Sequence, residues 1–430
     1  MKKYVAVLLM ICMTASGGLA LGEEKAASHL RVFNAGVEAY VYRQLHPQAG
    51  LEEIPFEYEE DAPRQVQDYL LAHPDAWDVA YIDTRRSDLP LLCGAGLLAD
   101  LGREERFSGS YAELYPAVRQ AVSWRDGLYA MPISLQSSAM QTGIVNEERL
   151  VALGLLPEDA PGTYGELRQL AEKYMALPKE QRKGTVFHVD GHGGYQNYLL
   201  YCFIEQYAAE YSNEKGAIRY DTEIFRHGIE DVVAMAKVLS TDLKIQRSPD
   251  AGFFGLTGQV LGWIEREGSY YANLRLRIGD QAVVPATMGM LVVNKNTEHW
   301  REALDFVDFA MAYTQSEFGM YLLNAAYEDL FLRYCDAQIL SYEAYSPGDG
   351  KEPDSGIETW KAARASGNTS SFYPREAIAE YAKKIAPCLT FPMMPQMDTY
   401  GIGSQFTRGR LDIEALIQKL QSIADGQAAR

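Results

Sequence analysis

The sequence is short of basic residues, of cysteine and of histidine, and it carries none of the common catalytic signatures. Its 40 Lys and Arg stand against 58 Asp and Glu, a net charge of −18 over 430 residues. So negative a chain offers no general basic face to phosphates, which excludes DNA and RNA as expected partners and disfavours anionic lipid. The five cysteines are widely spaced, without CxxC or zinc-ribbon spacing. There is no internal repeat, no low-complexity tract, no GxSxG elbow, no HExxH and no Walker loop. The seven histidines are scattered except for His188-x-Asp190-x-His192. On an extended strand those three side chains share one face and could meet a metal. Gly191, Gly193 and Gly194 argue for a turn instead, with the imidazoles bonded to water or backbone. Both readings stay open, no cofactor is implied, and an enzyme is not expected.

What the chain does have is apolar material: 47% hydrophobic residues with 23% charged. That balance describes a folded protein, and single cores seldom grow past roughly 250–300 residues, so two lobes are expected. Tyr outnumbers Phe by 28 to 15, a surplus of aromatics suited to half-wet clefts. Lys2 and Lys3 precede an uncharged apolar run from Tyr4 to Met13, and Ala20 and Gly22 give a small-x-small cleavage pattern. Residues 1–22 therefore read as a signal peptide, too short to span a bilayer, and export is expected. A buried amino-terminal helix is the competing account. A lipid anchor on Cys12 is opposed by the bulk of Met10 and Ile11. Beyond the signal, Cys93, Cys202, Cys335 and Cys388 are left either paired or as buried thiols.

Strand and helix patterns alternate along the remainder. Leu30–Phe33 reads as a strand, Val37–Leu45 as a helix, Ile54–Tyr58 as an edge strand, Gln65–Leu71 as a helix and Asp78–Ile82 as a buried strand. This β-α-β-α-β order calls for a parallel sheet covered by helices. Thr163-x-x-Glu166 is a capping box ahead of an apolar face of Leu167, Leu170, Ala171 and Tyr174. A further helix is expected over Ile224–Leu243, strands at Ala282–Val284 and Met290–Val293, and helices through Trp300–Met311 and Ile413–Leu420. Trp77 and Trp300 are assigned to core.

Several stretches, in order, resemble the extracellular solute-binding proteins of ABC importers, in particular the sugar- and maltodextrin-binding branch. Asp126-Gly127-Leu128-Tyr129-Ala130-Met131-Pro132 is similar to that family's "DGK-x-Y-G-x-P" segment, and Ile144 to Leu150 to its "Y-N-K-D-L" step. Gly154 to Pro157 with Pro161 to Leu167 resembles "A-G-L-P-x-P-x-T-W-D-E-L". Upstream, Trp77 to Asp83 and Gly96 to Leu101 resemble a family strand and its "G-x-L-x-x-L". Downstream, Asn294 to Phe306 and Pro392 to Met397 resemble family segments near the carboxyl end. Tyr164-Gly165 stands where the family has Trp-Asp, Val145 where it has Tyr, and Tyr342 to Thr369 has no counterpart.

The resemblance implies an α/β, two-lobed periplasmic-binding-protein-like fold, each lobe a mostly parallel sheet flanked by helices and joined by hinge crossovers. Lobe 1 would hold 28–134 plus 285–328, and lobe 2 would hold 135–284 plus 329–430. It further implies a monomer that captures a small polar solute, an oligosaccharide by that branch, and delivers it to a membrane permease. Strand logic agrees on the place, since ligands of open parallel sheets bind beyond the carboxyl ends of the strands. Asp83, Thr84 and Arg85 sit there as candidate ligands for sugar hydroxyls; a solvated turn with a surface ion pair is the competing account. Tyr129, Ser134 and Gln136 near the first crossover, Trp263, Tyr270 and Tyr271 around a "G-x-W"-like loop, and Tyr400 complete the expected set, with Tyr195 and Asn197 from the second lobe. For the aromatics, ordinary packing competes with a sugar platform. Two other functions stay open: a secreted metal-dependent hydrolase or lyase using His188, Asp190 and His192, and a ligand sensor feeding a receptor.

Overall fold

The computed structural model describes residues 29–56, 65–137, 141–144, 162–178, 180, 187–189, 195–212, 217–242, 254–257, 274–275, 277–278, 284–314, 335–336, 339, 355–366, 386–395 and 397–428. The expected signal peptide lies outside them, as do Asp190, His192, Trp263, Tyr270 and Tyr271. Among the described residues no helix is long and apolar enough to cross a membrane.

From the amino end come β1 (Leu30–Phe33), α1 (Gly36–Leu45), β2 (Leu51–Ile54), α2 (Gln65–Ala72), β3 (Val79–Asp83), α3 (Leu89–Gly94), α4 (Glu105–Glu113) and α5 (Pro116–Val122). A hairpin of β4 (Ser123–Trp124) and β5 (Gly127–Leu128) leads to β6 (Met131–Ser137). There follow β7 (Gln141–Ile144), α6 (Tyr164–Ala176), β8 (Phe187–Val189), α7 (Tyr195–Tyr211), α8 (Glu223–Asp242), β9 (Phe254–Thr257) and β10 (Leu274–Arg275). The described chain ends with β11 (Val284–Val293), α9 (Trp300–Thr314), α10 (Ser355–Ser366), β12 (Leu389–Thr390), α11 (Thr399–Thr407) and α12 (Ile413–Ala428).

The first sheet runs β12-β11-β3-β1-β2, with β6 also on β11. Its β1–β2, β1–β3 and β11–β12 pairs are parallel, whereas β11 runs antiparallel to β3 and β6. Both faces are covered: in β3 every residue but Tyr81 is buried, which is why that strand reads as a continuous apolar run. Trp77, Phe33, Phe107 and Phe306 fill the cluster around it, and Trp300 packs at its margin. The second sheet, β10-β7-β9-β8, is parallel at β8–β9 and antiparallel at its other two described pairings. A second apolar cluster forms on α6, α7, α8, α11 and α12 around Phe203, Tyr207, Tyr220 and Phe225.

Local chemistry explains most boundaries. The capping box at α6 is made in full: Glu166 N donates to Thr163 Oγ1 (3.2 Å), and Glu166 Oε2 accepts from Thr163 N (3.2 Å). At the amino end of β3, Arg31 grips the fully buried Asp78 through Nε and Nη2 (both 3.0 Å), and the Thr297 hydroxyl donates to the same carboxylate (2.9 Å). Burial alone would raise the Asp78 pKa; the hydrogen bonds from Arg31 and Thr297 more than offset that and hold it below the ordinary value.

Two expectations are corrected. The second strand lies at Leu51–Ile54 rather than 54–58, because Leu51 buries against β1 and Pro55 has no N–H to extend the ladder. Two separate strands were expected at 282–284 and 290–293, but Val284–Val293 is one ten-residue strand, β11, kept extended by β3 on one side and β6 on the other, with a register shift at Gly289/Met290; residues 282 and 283 lie outside the described residues. Beyond β11, Cys335, Ala363 and Leu389 pack in the first cluster and Met394 in the second. The chain therefore passes from the first cluster to the second between Leu389 and Met394, and from the first sheet to the second between Ser137 of β6 and Gln141 of β7. Cys93 and Cys335 are buried free thiols, Cys202 is buried and Cys388 is half-buried; burial pushes Cys93 up to about 12 and Cys335 to about 11.

Candidate functional site

The carboxyl end of β3 is built as a rim of polar groups above a dry sheet. Thr84 continues the ladder by unusual means: its N–H donates to Met288 O (3.0 Å), and its hydroxyl oxygen accepts from Met288 N (2.9 Å). Asp83 accepts from Arg86 N (2.9 Å) and lies 3.8 Å from Arg86 Nε, forming a tight turn. Burial pushes the Asp83 carboxyl up, against the opposing pull of Arg86 and Arg85. The next strands extend this rim. Gly289 of β11 stands in register between Asp83 and Ser134, and Thr287 stands opposite Gln136. A Cβ on Gly289 would lie 2.4 Å from both Ser134 Oγ and Tyr81 Oη, so the missing side chain lets two hydroxyls converge over the strand.

The second cluster meets this rim through α7. That helix is apolar on nearly all sides, burying Leu199, Leu200, Phe203, Ile204 and Tyr207, yet it also buries Glu205 and Gln206. A buried carboxylate needs a partner. Glu205 finds it across the boundary between clusters: Arg85 Nη1 lies 2.8 Å from Glu205 Oε2 and Arg85 Nη2 donates to Oε1 (3.3 Å). The side chains are only 19% and 7% exposed. Arg85 Nη2 also donates to Pro395 O (3.3 Å), and the Thr399 hydroxyl donates to Glu205 Oε1. Burial works against the Arg85 charge, but Glu205 outweighs it and the guanidinium stays firmly protonated. Arg85 Nε is buried without a hydrogen-bond partner. Beside the pair, Tyr201 is pushed up to about 12 by burial and by the Glu205 charge, so its hydroxyl remains neutral. Its ring packs edge-on to Tyr400 at 6.3 Å, and Tyr400 is 39% exposed.

The structure thus brings Asp83, Thr84 and Arg85 into one neighbourhood with Ser134 and the backbone of Gln136. It brings Arg85 in turn to the second cluster near Tyr400. Asn197 is buried on α7, where its amide donates to Tyr400 O (3.3 Å) and its Oδ1 faces Gly403. Tyr195 opens α7, described by its backbone alone. Tyr129 is half-buried against the first cluster, over Gly127 and edge-on to Trp124 at 6.0 Å. His188 is on β8, and among the described residues no three His, Cys, Asp or Glu are arranged to hold a metal ion. An open surface pocket of about 440 Å³ lined by Asp221, Arg226, Glu414, Gln421 and Asp425 contributes nothing to this neighbourhood, and its guanidinium is already paired with Asp221 (2.7 Å) and Glu414. Sequence reasoning missed Glu205, Tyr201, Thr399 and Tyr81. For Glu205 the signal was present: a lone carboxylate in the run Leu199 to Ala209.

No family model matches the chain, and no curated protein matches it. Among solved structures it is similar to an ABC substrate-binding protein from Listeria monocytogenes in complex with cycloalternan, at 14% identity and a TM-score of 0.48, over 93% of this chain and 98% of that one. It is also similar to an ABC transporter solute-binding protein from Agrobacterium vitis with bound D-mannitol, at 14% identity and a TM-score of 0.49, over 93% of this chain and 97% of that one.

Proposed function

We propose that this chain is an exported solute-binding protein that captures a small polar solute, an oligosaccharide, between two lobes and hands it unchanged to a membrane permease. The observation that carries the reading is the junction at the carboxyl end of β3. There, Arg85, which follows Asp83 and Thr84 at the end of β3, meets Glu205 of α7, which also holds the Thr399 hydroxyl, with Tyr201 and the exposed Tyr400 ring beside them. Hydroxyls and carboxylates at the rim of an aromatic face suit a sugar, whose ring is apolar on its faces and polar at its edge. The two lobes correspond to the two apolar clusters, and the passages from β6 to β7 and from Leu389 to Met394 act as hinges about which they close. Export by the leader at 1–22, a monomeric state and retention at the cell surface belong to the same reading, as does membership of Tyr129, Trp263, Tyr270 and Tyr271 in the cleft. It rests on the order of family-like segments in the sequence together with this junction.

The test is a thermal-shift screen of the protein without its leader against sugars, amino acids and polyamines. A true solute at a hundredfold excess over its Kd adds about 2.7 kcal/mol of stability. Sugars are expected to raise Tm; a shift with peptides or polyamines alone refutes the carbohydrate assignment, and no shift with any class refutes solute capture.

A further inference from the structure

We propose that Glu205 sets the charge selectivity of this cleft: by occupying the Arg85 guanidinium it makes the site one for uncharged solutes and against carboxylated ones. This rests on the solute-binding reading above and narrows its substrate class. An arginine just beyond a buried strand at the carboxyl edge of a sheet is the group that would otherwise draw an anion, because its fork matches a carboxylate bidentately. Here the fork is already filled. Both terminal nitrogens face the Glu205 carboxylate, at 2.8 and 3.3 Å, and one of them also reaches Pro395 O. Glu205 is equally committed, since its Oε1 takes the Thr399 hydroxyl as well. Asp83 accepts from the Arg86 backbone N–H (2.9 Å), with the Arg86 guanidinium 3.8 Å from its other oxygen. The opposite charges of each pair offset one another, so the junction presents hydroxyls and an aromatic face, while Arg85 Nε is itself buried. An incoming carboxylate would have to displace Glu205 into a site whose other walls are buried Pro395 and Thr399, leaving a charge unpaired. A neutral hydroxyl meets no such penalty.

The experiment compares neutral glucose-based disaccharides with the same disaccharides oxidised at C6 to uronates. Binding is measured by calorimetry on the wild-type chain, Glu205→Gln, Thr399→Val and the double variant Arg85→Gln/Glu205→Gln. The wild type is expected to favour the neutral member at least tenfold. Glu205→Gln, nearly isosteric, frees the guanidinium and is expected to shift that ratio at least tenfold toward the uronate. Thr399→Val disturbs the same carboxylate without changing any charge, and the double variant removes both charges; whatever either does to affinity for the two members alike, neither is expected to move the ratio toward the uronate as far as Glu205→Gln does. A wild type that prefers the uronate overturns the proposal whether or not Glu205→Gln folds. So does a Glu205→Gln ratio equal to that of the wild type, while the solute-binding reading stands. A wild type that takes neither member while binding other solute classes overturns this proposal and the carbohydrate assignment together.

Discussion

Breaking the Arg85–Glu205 pair from one side and then from both gives a stability test that needs no solute. Each side chain is largely withdrawn from water, at 19% and 7% exposure. Truncating one member of a buried pair typically costs about 3–5 kcal/mol, because the survivor is left as an uncompensated charge. Arg85 keeps some contact with solvent, so Arg85→Met and Glu205→Gln should each cost about 2–4 kcal/mol by the same reasoning. Arg85→Met is the harsher, since it strands the carboxylate with only the Thr399 hydroxyl. The double variant removes both charges and should cost less than the sum of the singles, with a coupling energy on the order of 2 kcal/mol. Urea titrations followed by tryptophan fluorescence measure all three, and the m-value should not change between them. Strictly additive costs, with coupling under about 0.5 kcal/mol, would mean that the pair is solvated and that the two clusters do not meet across a dry junction.

Other expectations follow from single contacts. Asp78 has a folded pKa below its unfolded one, so its contribution is fully present above about pH 4–5 and is lost as pH falls through the folded value. Asp78→Asn should lower stability near neutral pH and flatten the acid limb of a Tm-against-pH curve; an unchanged limb contradicts the Arg31–Asp78–Thr297 account. Gly228→Ala would place a Cβ 2.1 Å from the fully buried Phe203 ring, an overpacking expected to cost about 1–3 kcal/mol in a denaturation curve. Gly289→Ala would push apart Ser134 Oγ and Tyr81 Oη, and should weaken whatever solute the thermal-shift screen identifies more than it lowers Tm. Thr163→Ala removes the Thr163 half of a complete capping box and should cost about 1 kcal/mol.

Much of the local structure was legible in the sequence because it is decided locally. The Thr163–Glu166 box, the apolar face of α6 and the dry β3 run are set by residues within a turn or two of one another, and each forms where its pattern places it. What depends on distant partners was not legible. The unbroken run of β11 from Val284 to Val293 comes from flanking strands far away in the chain. The return of Cys335, Ala363 and Leu389 to the first cluster likewise follows from tertiary packing that no periodicity encodes. The site divides along the same line. Asp83, Thr84 and Arg85 could be picked out because they end an apolar strand. Glu205, the partner of Arg85, lies 120 residues away in a helix whose face reads as core. Only the cost of burying a lone carboxylate hints that something must meet it.

Solution X-ray scattering on the protein, free and saturated with whichever sugar most raises its melting temperature, tests the central claim most directly. Closure of two lobes over a captured solute predicts a smaller radius of gyration in the saturated sample and recovery of the original value after dialysis. An identical radius at demonstrated saturation, or a sugar recovered chemically altered, would contradict it.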